Sequence, residues 1–354
     1  MLAILSACIL IPSPNLALLL PTIAAPELSP WLVLLNLLAG LAALRFYRPL
    51  LPLAAASLLV SGWPLVQIHN VAVQSSNKGA ERMQGIGDSA SILLDCFRST
   101  VSWSVQPQRL AMNILYYPPP NGGRLRPALI DIYGGAWQHG SPADLHRFDS
   151  YLALKGFPVF AIDYRHAPEF KFPVQLNDVN AAVSFIYQNA TRYNVDRDRL
   201  VLCGRSAGAQ LALLAAYETG LVPVRGVVSY YGPTDLIKGY FDLPTPDPIN
   251  VRAVLEAYLG GSPAQVPNAY RDASPVTYMR RSLPATLILQ GERDHIVKEV
   301  FARELYARLS ESGNRAYLVE IPWSEHGFDF AFPGLGNHVS LRYLEQFLHE
   351  TVGS

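Results

Sequence analysis

Gly204-Arg205-Ser206-Ala207-Gly208 follows an apolar strand pattern, Arg199–Cys203, and precedes a helical one that starts at Gln210. Isolated G-x-S-x-G strings are common, so the flanks carry the weight. Strand, sharp glycine turn and helix together lift a serine hydroxyl above the end of a sheet. The helix N-terminus beyond it favours developing negative charge. A serine hydroxyl is a weak nucleophile until a base takes its proton. His326, in Trp323-Ser-Glu-His-Gly327, directly follows the strand pattern ending at Ile321. Asp294, in Gly291-Glu-Arg-Asp-His295, directly follows Leu287-Ile-Leu-Gln290 and suits a carboxylate that orients the imidazole. The chain order serine, carboxylate, histidine is one of those in which such a triad assembles.

Rival residues fit less well. His295 neighbours Asp294 but has no strand end of its own, and Glu292 precedes the expected position. His139, His146, His166, His338 and His349 read as surface or structural residues. There is no H-E-x-x-H and no compact carboxylate cluster, so neither a metal nor another cofactor is expected. A tetrahedral oxyanion needs backbone N–H donors. One is expected from Ala207, the residue after the nucleophile, and others from the loop Tyr133-Gly134-Gly135-Ala136-Trp137, which follows an early strand. The bland alternative for that loop is a plain Gly-Gly turn.

These residues need strand ends to hold them. Apolar strands are expected at 110–117, 128–133, 158–163, 199–203, 224–231, 285–290 and 316–321. Helical spacing appears at 145–155, 174–193, 210–217, 299–312 and 339–351. In the 174–193 segment Leu176, Val179, Ala182, Val183, Ile186 and Tyr187 share one face. Asn121-Gly-Gly123 reads as a turn. Alternating strands and helices with continuous apolar strands specify an α/β fold with a mostly parallel sheet covered on both sides. Sites in such sheets lie at the carboxyl ends of the strands. Residues 232–284 exceed an ordinary connection, and a small cap is expected at about 236–280.

The chain has 354 residues, a net charge of zero and a hydrophobic fraction of 50%. That composition excludes a disordered chain. No basic excess or patch suggests a nucleic-acid partner. Cys8, Cys96 and Cys203 are too few and too scattered for a disulfide framework. Charge is unevenly spread: residues 1–77 carry only Glu27, Arg45 and Arg48. Three apolar stretches fill that quarter, Leu2–Ala25, Trp31–Leu44 and Leu50–Ile68, the first interrupted by Pro12, Pro14 and Pro21. Residues 1–70 therefore read as a membrane segment of two or three helices. A cleaved signal peptide at 1–25 would want a basic start that is missing. Arg45 and Arg48 place their loop in the cytoplasm and the catalytic domain on the extracytoplasmic side, while Lys78 and Arg82 pull the other way. Residues 71–105 read as a linker and lead-in, with turn-type residues at Gly79 and Gly85–Gly87, and 106–354 as the catalytic domain.

Over about 108–350 the chain resembles the α/β-hydrolase superfamily, in particular the esterases with an H-G-G-G-W-type oxyanion loop, the hormone-sensitive-lipase-like and bacterial feruloyl-esterase-like groups. Asp131-Ile-Tyr-Gly-Gly-Ala-Trp-Gln-His-Gly140 matches that loop, Asp163-Tyr-Arg-His-Ala-Pro-Glu169 the segment after the next strand, and Gly204–Gly208 the nucleophile turn. The resemblance implies Ser206 as nucleophile, His326 as general base and acid, and Asp294 as its orienter. It implies Gly135, Ala136 and Ala207 as oxyanion donors, with Gly134 shaping the turn and Trp137 and Tyr133 beside the substrate, the Tyr133 hydroxyl being also able to brace the loop. Tyr133 replaces the loop's usual histidine, Ala136 its third glycine, and Ala209 a glycine that often follows S-A-G. These departures bear on substrate fit and remove no nucleophile, base or donor.

The expected activity is hydrolysis of a small-molecule or lipid carboxylic ester. An acyltransferase, an arylformamidase-like amidase or a peptidase would use the same residues, and added alcohol acceptors separate transfer from hydrolysis. A binding protein on a hydrolase fold is the non-catalytic alternative. The intact triad argues against it.

Overall fold

A computed structural model of the chain describes residues 1–11, 15–75, 89–100, 104–120, 123–218 and 222–353. Lys78, Arg82, the turn residues at Gly79 and Gly85–Gly87, and Asn121 with Gly122 lie outside them.

Among the described residues nine strands form one sheet: β1 (Ala72–Ser75), β2 (Gln108–Arg109), β3 (Leu115–Tyr117), β4 (Arg126–Ile132), β5 (Val159–Ile162), β6 (Val195–Arg205), β7 (Gly226–Tyr230), β8 (Ala285–Gly291) and β9 (Ala316–Ile321). Their order is β1-β9-β8-β7-β6-β4-β5-β3-β2. The six strands from β4 to β9 pair in parallel, and β1, β2 and β3 add antiparallel edges. Helices are α1 (Leu2–Ala7), α2 (Leu16–Glu27), α3 (Ser29–Phe46), α4 (Leu51–Gln67), α5 (Ser89–Arg98), α6 (His146–Leu154), α7 (Val174–Gln188), α8 (Ala207–Tyr217), α9 (Leu236–Phe241), α10 (Val251–Leu259), α11 (Pro267–Asp272), α12 (Glu299–Glu311) and α13 (Leu335–Val352).

Continuous apolar strands make sense because both faces are covered. Side chains alternate across a strand. Ile130, Leu202, Val227 and Ile288 enter one core with α7 and α8. Their neighbours Leu129, Cys203, Val228 and Leu287 enter the other, with α6 and α13. β4 connects onward to β5 on one side, while its other neighbour β6 connects onward to β7 on the opposite side. Such a switch point opens a crevice at the strand ends. Ser206 and the 133–137 loop flank it.

Several expectations need correction. The strand expected at 110–117 is broken by a 3-10 turn at Ala111–Asn113, where Met112 and Asn113 take positive φ. Asn113 donates its side-chain amide to Asp163, a polar capture that competes with strand pairing. The helix expected at 174–193 ends at Gln188 and continues as a 3-10 turn, Ala190–Tyr193. The last helix starts at Leu335, where Leu-Gly-Asn-His shows no apolar period. The segment 71–105 is more than a linker. β1 pairs with β9, and α5 buries Ile92 and Cys96 in the core beside α13. The 236–280 excursion carries α9, α10, α11 and a 3-10 turn at Pro275–Tyr278.

In the N-terminal quarter the first apolar stretch divides into α1 and α2, with Pro21 and Pro26 inside α2. Among the described residues, two helical spans, Ser29–Phe46 and Arg48–Asn70, are long and apolar enough to cross a membrane. Leu38, Leu41, Leu59 and Val66 on them are more than half exposed. Asn36, Ser57 and Ser61 on them are buried, and Asn36 Nδ2 donates to Ser6 Oγ and Ser61 Oγ, both at 3.2 Å.

Candidate active site

Ser206 stands between β6 and α8 with φ 51° and ψ −119°, the strained turn that the motif demands. Gly204 and Gly208 make it possible: a Cβ on Gly204 would lie 2.2 Å from the Gly208 carbonyl oxygen, and one on Gly208 2.2 Å from that of Ile132. His326 Nε2 is 2.9 Å from Ser206 Oγ, and His326 Nδ1 is 2.8 Å from Asp294 Oδ2. The three residues expected from sequence therefore meet. Asp294 also accepts from Gln290 Nε2 at 3.0 Å and from the Ile296 and Val297 amides at 2.8 Å each. A carboxylate so engaged fixes the proton of His326 on Nδ1 and leaves Nε2 free to accept from the serine.

The 133–137 loop carries positive φ at three successive residues, Gly135, Ala136 and Trp137. Among the described residues, the N–H groups of Gly135, Ala136 and Ala207 donate no hydrogen bond. Ala136 and Trp137 line the same cavity as Ser206. A Cβ on Gly134 would lie 2.9 Å from the Arg205 carbonyl oxygen and 3.3 Å from the Ser206 Cβ. Trp137 is wedged in place: its indole N–H donates to Gln210 Oε1 at 2.9 Å and its ring stacks on Tyr258 at 4.1 Å. Tyr133 departs from its expected place beside the substrate. Its hydroxyl donates to Asp163 Oδ1 at 2.6 Å and meets His166 Nε2 at 2.9 Å, so it braces the loop from behind.

The rivals fall away. His295 pairs with Glu325, which holds its imidazole above the ordinary range chiefly by a hydrogen bond. Glu292, His139 and His349 are exposed. His146 meets the Tyr117 hydroxyl. His338 is buried against Ser99 Oγ at 2.9 Å. Burial pushes it down, to about 4, against the pull of Asp95 and with Arg342 and Arg147 reinforcing. An unfolded histidine titrates near 6.5, so between that pH and about 4 the unfolded chain holds more protons. The contribution of this group is complete above about pH 6.5 and falls by about 3 kcal/mol as pH drops towards 4. His338→Gln is expected to flatten the fall in thermal stability over that window. An unchanged pH profile of the melting temperature would count against it.

Sequence reasoning missed the charged layer beneath the serine. Arg205, fully buried, reaches Asp131 Oδ1 at 2.5 Å and Asp329 Oδ2 at 2.7 Å. Its guanidinium lies 3.9 Å from the Phe148 ring centre. Tyr231 donates to Asp329 and packs its ring 4.5 Å from that of His326. Burial, then the charge of Asp131, holds the Asp149 carboxyl well above the usual carboxylate range. The one sequence signal was Arg205 itself, a charge inside an otherwise apolar strand end.

Above the serine lies a pocket walled by Leu236 of α9, Val254 and Leu255 of α10 and Phe301 of α12. Its two acidic wall residues are engaged. Asp235 accepts from the Lys238 amide, and Asp242 pairs with Lys298 at 2.5 Å. The space offered to a ligand is therefore apolar.

A mostly parallel sheet with helices on both faces and a serine on a strand–turn–helix elbow defines an α/β-hydrolase fold. A family model designated BD-FAE matches residues 114–309, and the chain belongs to that family. Esterase LipC of Mycobacterium tuberculosis is 33% identical over 218 residues, 57% of this chain and 53% of that protein. Probable carboxylic ester hydrolase LipM of the same organism is 29% identical over 242 residues, 64% of this chain and 55% of that protein. The chain thus spans about half the length of these curated relatives. Among solved structures, a bacterial heroin esterase aligns with a TM-score of 0.62 and 23% identity, over 75% of this chain and 90% of that one, a likeness of fold.

Proposed function

We propose that the chain is a membrane-anchored serine hydrolase of carboxylic esters. The observation that carries this reading is the continuous hydrogen-bonded line from Ser206 Oγ through His326 to Asp294. His326 Nε2 takes the serine proton as Oγ attacks the ester carbonyl. The oxyanion rests on the N–H groups of Ala207, Gly135 and Ala136. Protonated His326 then donates to the leaving alcohol, leaving an acyl-serine. Water, deprotonated by His326, attacks the acyl carbon and releases the acid.

Anchoring is supported by the two spans Ser29–Phe46 and Arg48–Asn70 with their exposed leucines. The apolar cavity favours an uncharged acyl or alcohol group, and membrane-borne esters fit both features. The names of the curated relatives, an esterase and a carboxylic ester hydrolase, agree with the reaction. A panel of p-nitrophenyl esters, run with and without added alcohols, tests it. Acid release that rises with substrate and stays the main product in the presence of alcohol is expected. No ester turnover, or transfer to alcohol as the dominant outcome, would overturn the hydrolase reading.

A further inference from the structure

Glu27 is the only carboxylate in the first 77 residues and closes α2, yet it is fully buried. Burying a carboxylate is costly unless its oxygens are bonded. Both are. Oε1 accepts from Ser324 Oγ at 2.6 Å, and Oε2 accepts from the backbone N–H of Gly336. Gly336 lies in the first turn of α13, an 18-residue helix whose positive end favours an acid there. The seat is shaped for it: a Cβ on Gly336 would stand 2.8 Å from Glu27 Oε2 and 2.5 Å from Ser324 Oγ. A tether that merely held the enzyme at a membrane would need none of this.

Ser324 joins the two loops of the triad. It precedes His326 by two residues, and its carbonyl accepts from the Arg293 amide at 3.1 Å, next to Asp294. The Arg293 guanidinium in turn donates to the carbonyl of Ile9, beyond α1. The N-terminal segment therefore grips the histidine loop through Glu27 and the aspartate loop through Ile9.

We infer that Glu27 is a positioning residue for the triad, acting through Ser324, and that the N-terminal segment is an integral part of the catalytic unit. The inference rests on the reading of Ser206 and His326 given above. Small displacements of a general base are costly: a shift of about 1 Å lowers a rate on the order of 100-fold.

The test uses the full chain in detergent micelles, with kcat and KM measured on a p-nitrophenyl ester. Glu27→Ala is expected to lower kcat by about 10- to 100-fold with KM nearly unchanged. Glu27→Gln is expected to retain most of kcat. Its amide oxygen still accepts from Gly336, and the Ser324 hydroxyl can turn to accept from its NH2. Ser324→Ala is expected to lower kcat in the same sense, and the double variant Glu27→Ala with Ser324→Ala to be no slower than Glu27→Ala alone. Wild-type kcat in Glu27→Ala, or losses that multiply in the double variant, would overturn the inference. Should Glu27→Ala fail to fold, Glu27→Asp and Glu27→Gln decide. The shortened acid is expected to lose kcat and the amide to keep it, and the reverse order overturns the proposal. Ser206→Ala is the control arm. If it is inactive while Glu27→Ala is fully active, the positioning role alone fails. If it is active, the reading of the site fails first.

Discussion

Ser206→Ala is expected to lower kcat by about ten-thousand-fold or more, with KM and thermal stability close to those of the parent chain. The change removes one oxygen, the atom 2.9 Å from His326 Nε2. His326 keeps its bond to Asp294, and Asp294 keeps its three other donors. The elbow itself is held by Gly204 and Gly208 and by the Ser206 amide on the Tyr230 carbonyl, none of which needs the hydroxyl. The residual rate comes from the oxyanion donors and from binding, which the substitution leaves in place. Initial-rate kinetics beside a melting curve check it. Loss of less than tenfold would mean that another group attacks the ester.

The second large effect is on stability. Arg205→Met is expected to cost about 3–5 kcal/mol, because it strands Asp131 and Asp329 as buried carboxylates without their cation. For a domain of this size that lowers the melting temperature by on the order of 10 °C. Lysine is a poor replacement, since the guanidinium serves two carboxylates and two aromatic faces at once, Phe148 and Tyr230. Activity falls with stability, because Asp329 follows His326 by three residues and holds Tyr231 against its ring. Adding Asp329→Asn to Arg205→Met is expected to recover part of the melting temperature by removing one stranded charge. A melting temperature unchanged in Arg205→Met would contradict this account of the layer beneath the serine.

The meeting of Ser206, Asp294 and His326 was legible in the sequence for a physical reason. Ser206, Asp294 and His326 each follow directly on an apolar strand, and strand ends in a parallel sheet converge. The fold class was legible for the same reason: strands buried on both faces are continuously apolar. What was not legible depends on contacts distant in sequence. Asp131, Arg205 and Asp329 lie on three separate elements, and nothing local marks them as one cluster. Tyr133 could have stood beside a substrate or braced its loop, and its hydroxyl bond to Asp163 decides for bracing. β1 is four residues long, and its pairing partner β9 lies some 240 residues later. Glu27 was visible as a lone charge in a greasy stretch, but the serine and glycine that receive it are about 300 positions away.

The central claim is that Ser206 is a nucleophile activated by His326. It is tested most directly by treating the full chain in detergent with a fluorophosphonate and mapping the adduct by peptide mass spectrometry. The account predicts a single phosphonyl adduct on Ser206, formed in step with loss of esterase activity and slowed by a competing ester. A folded chain that remains unlabelled, or an adduct on another residue with activity lost in parallel, would contradict it.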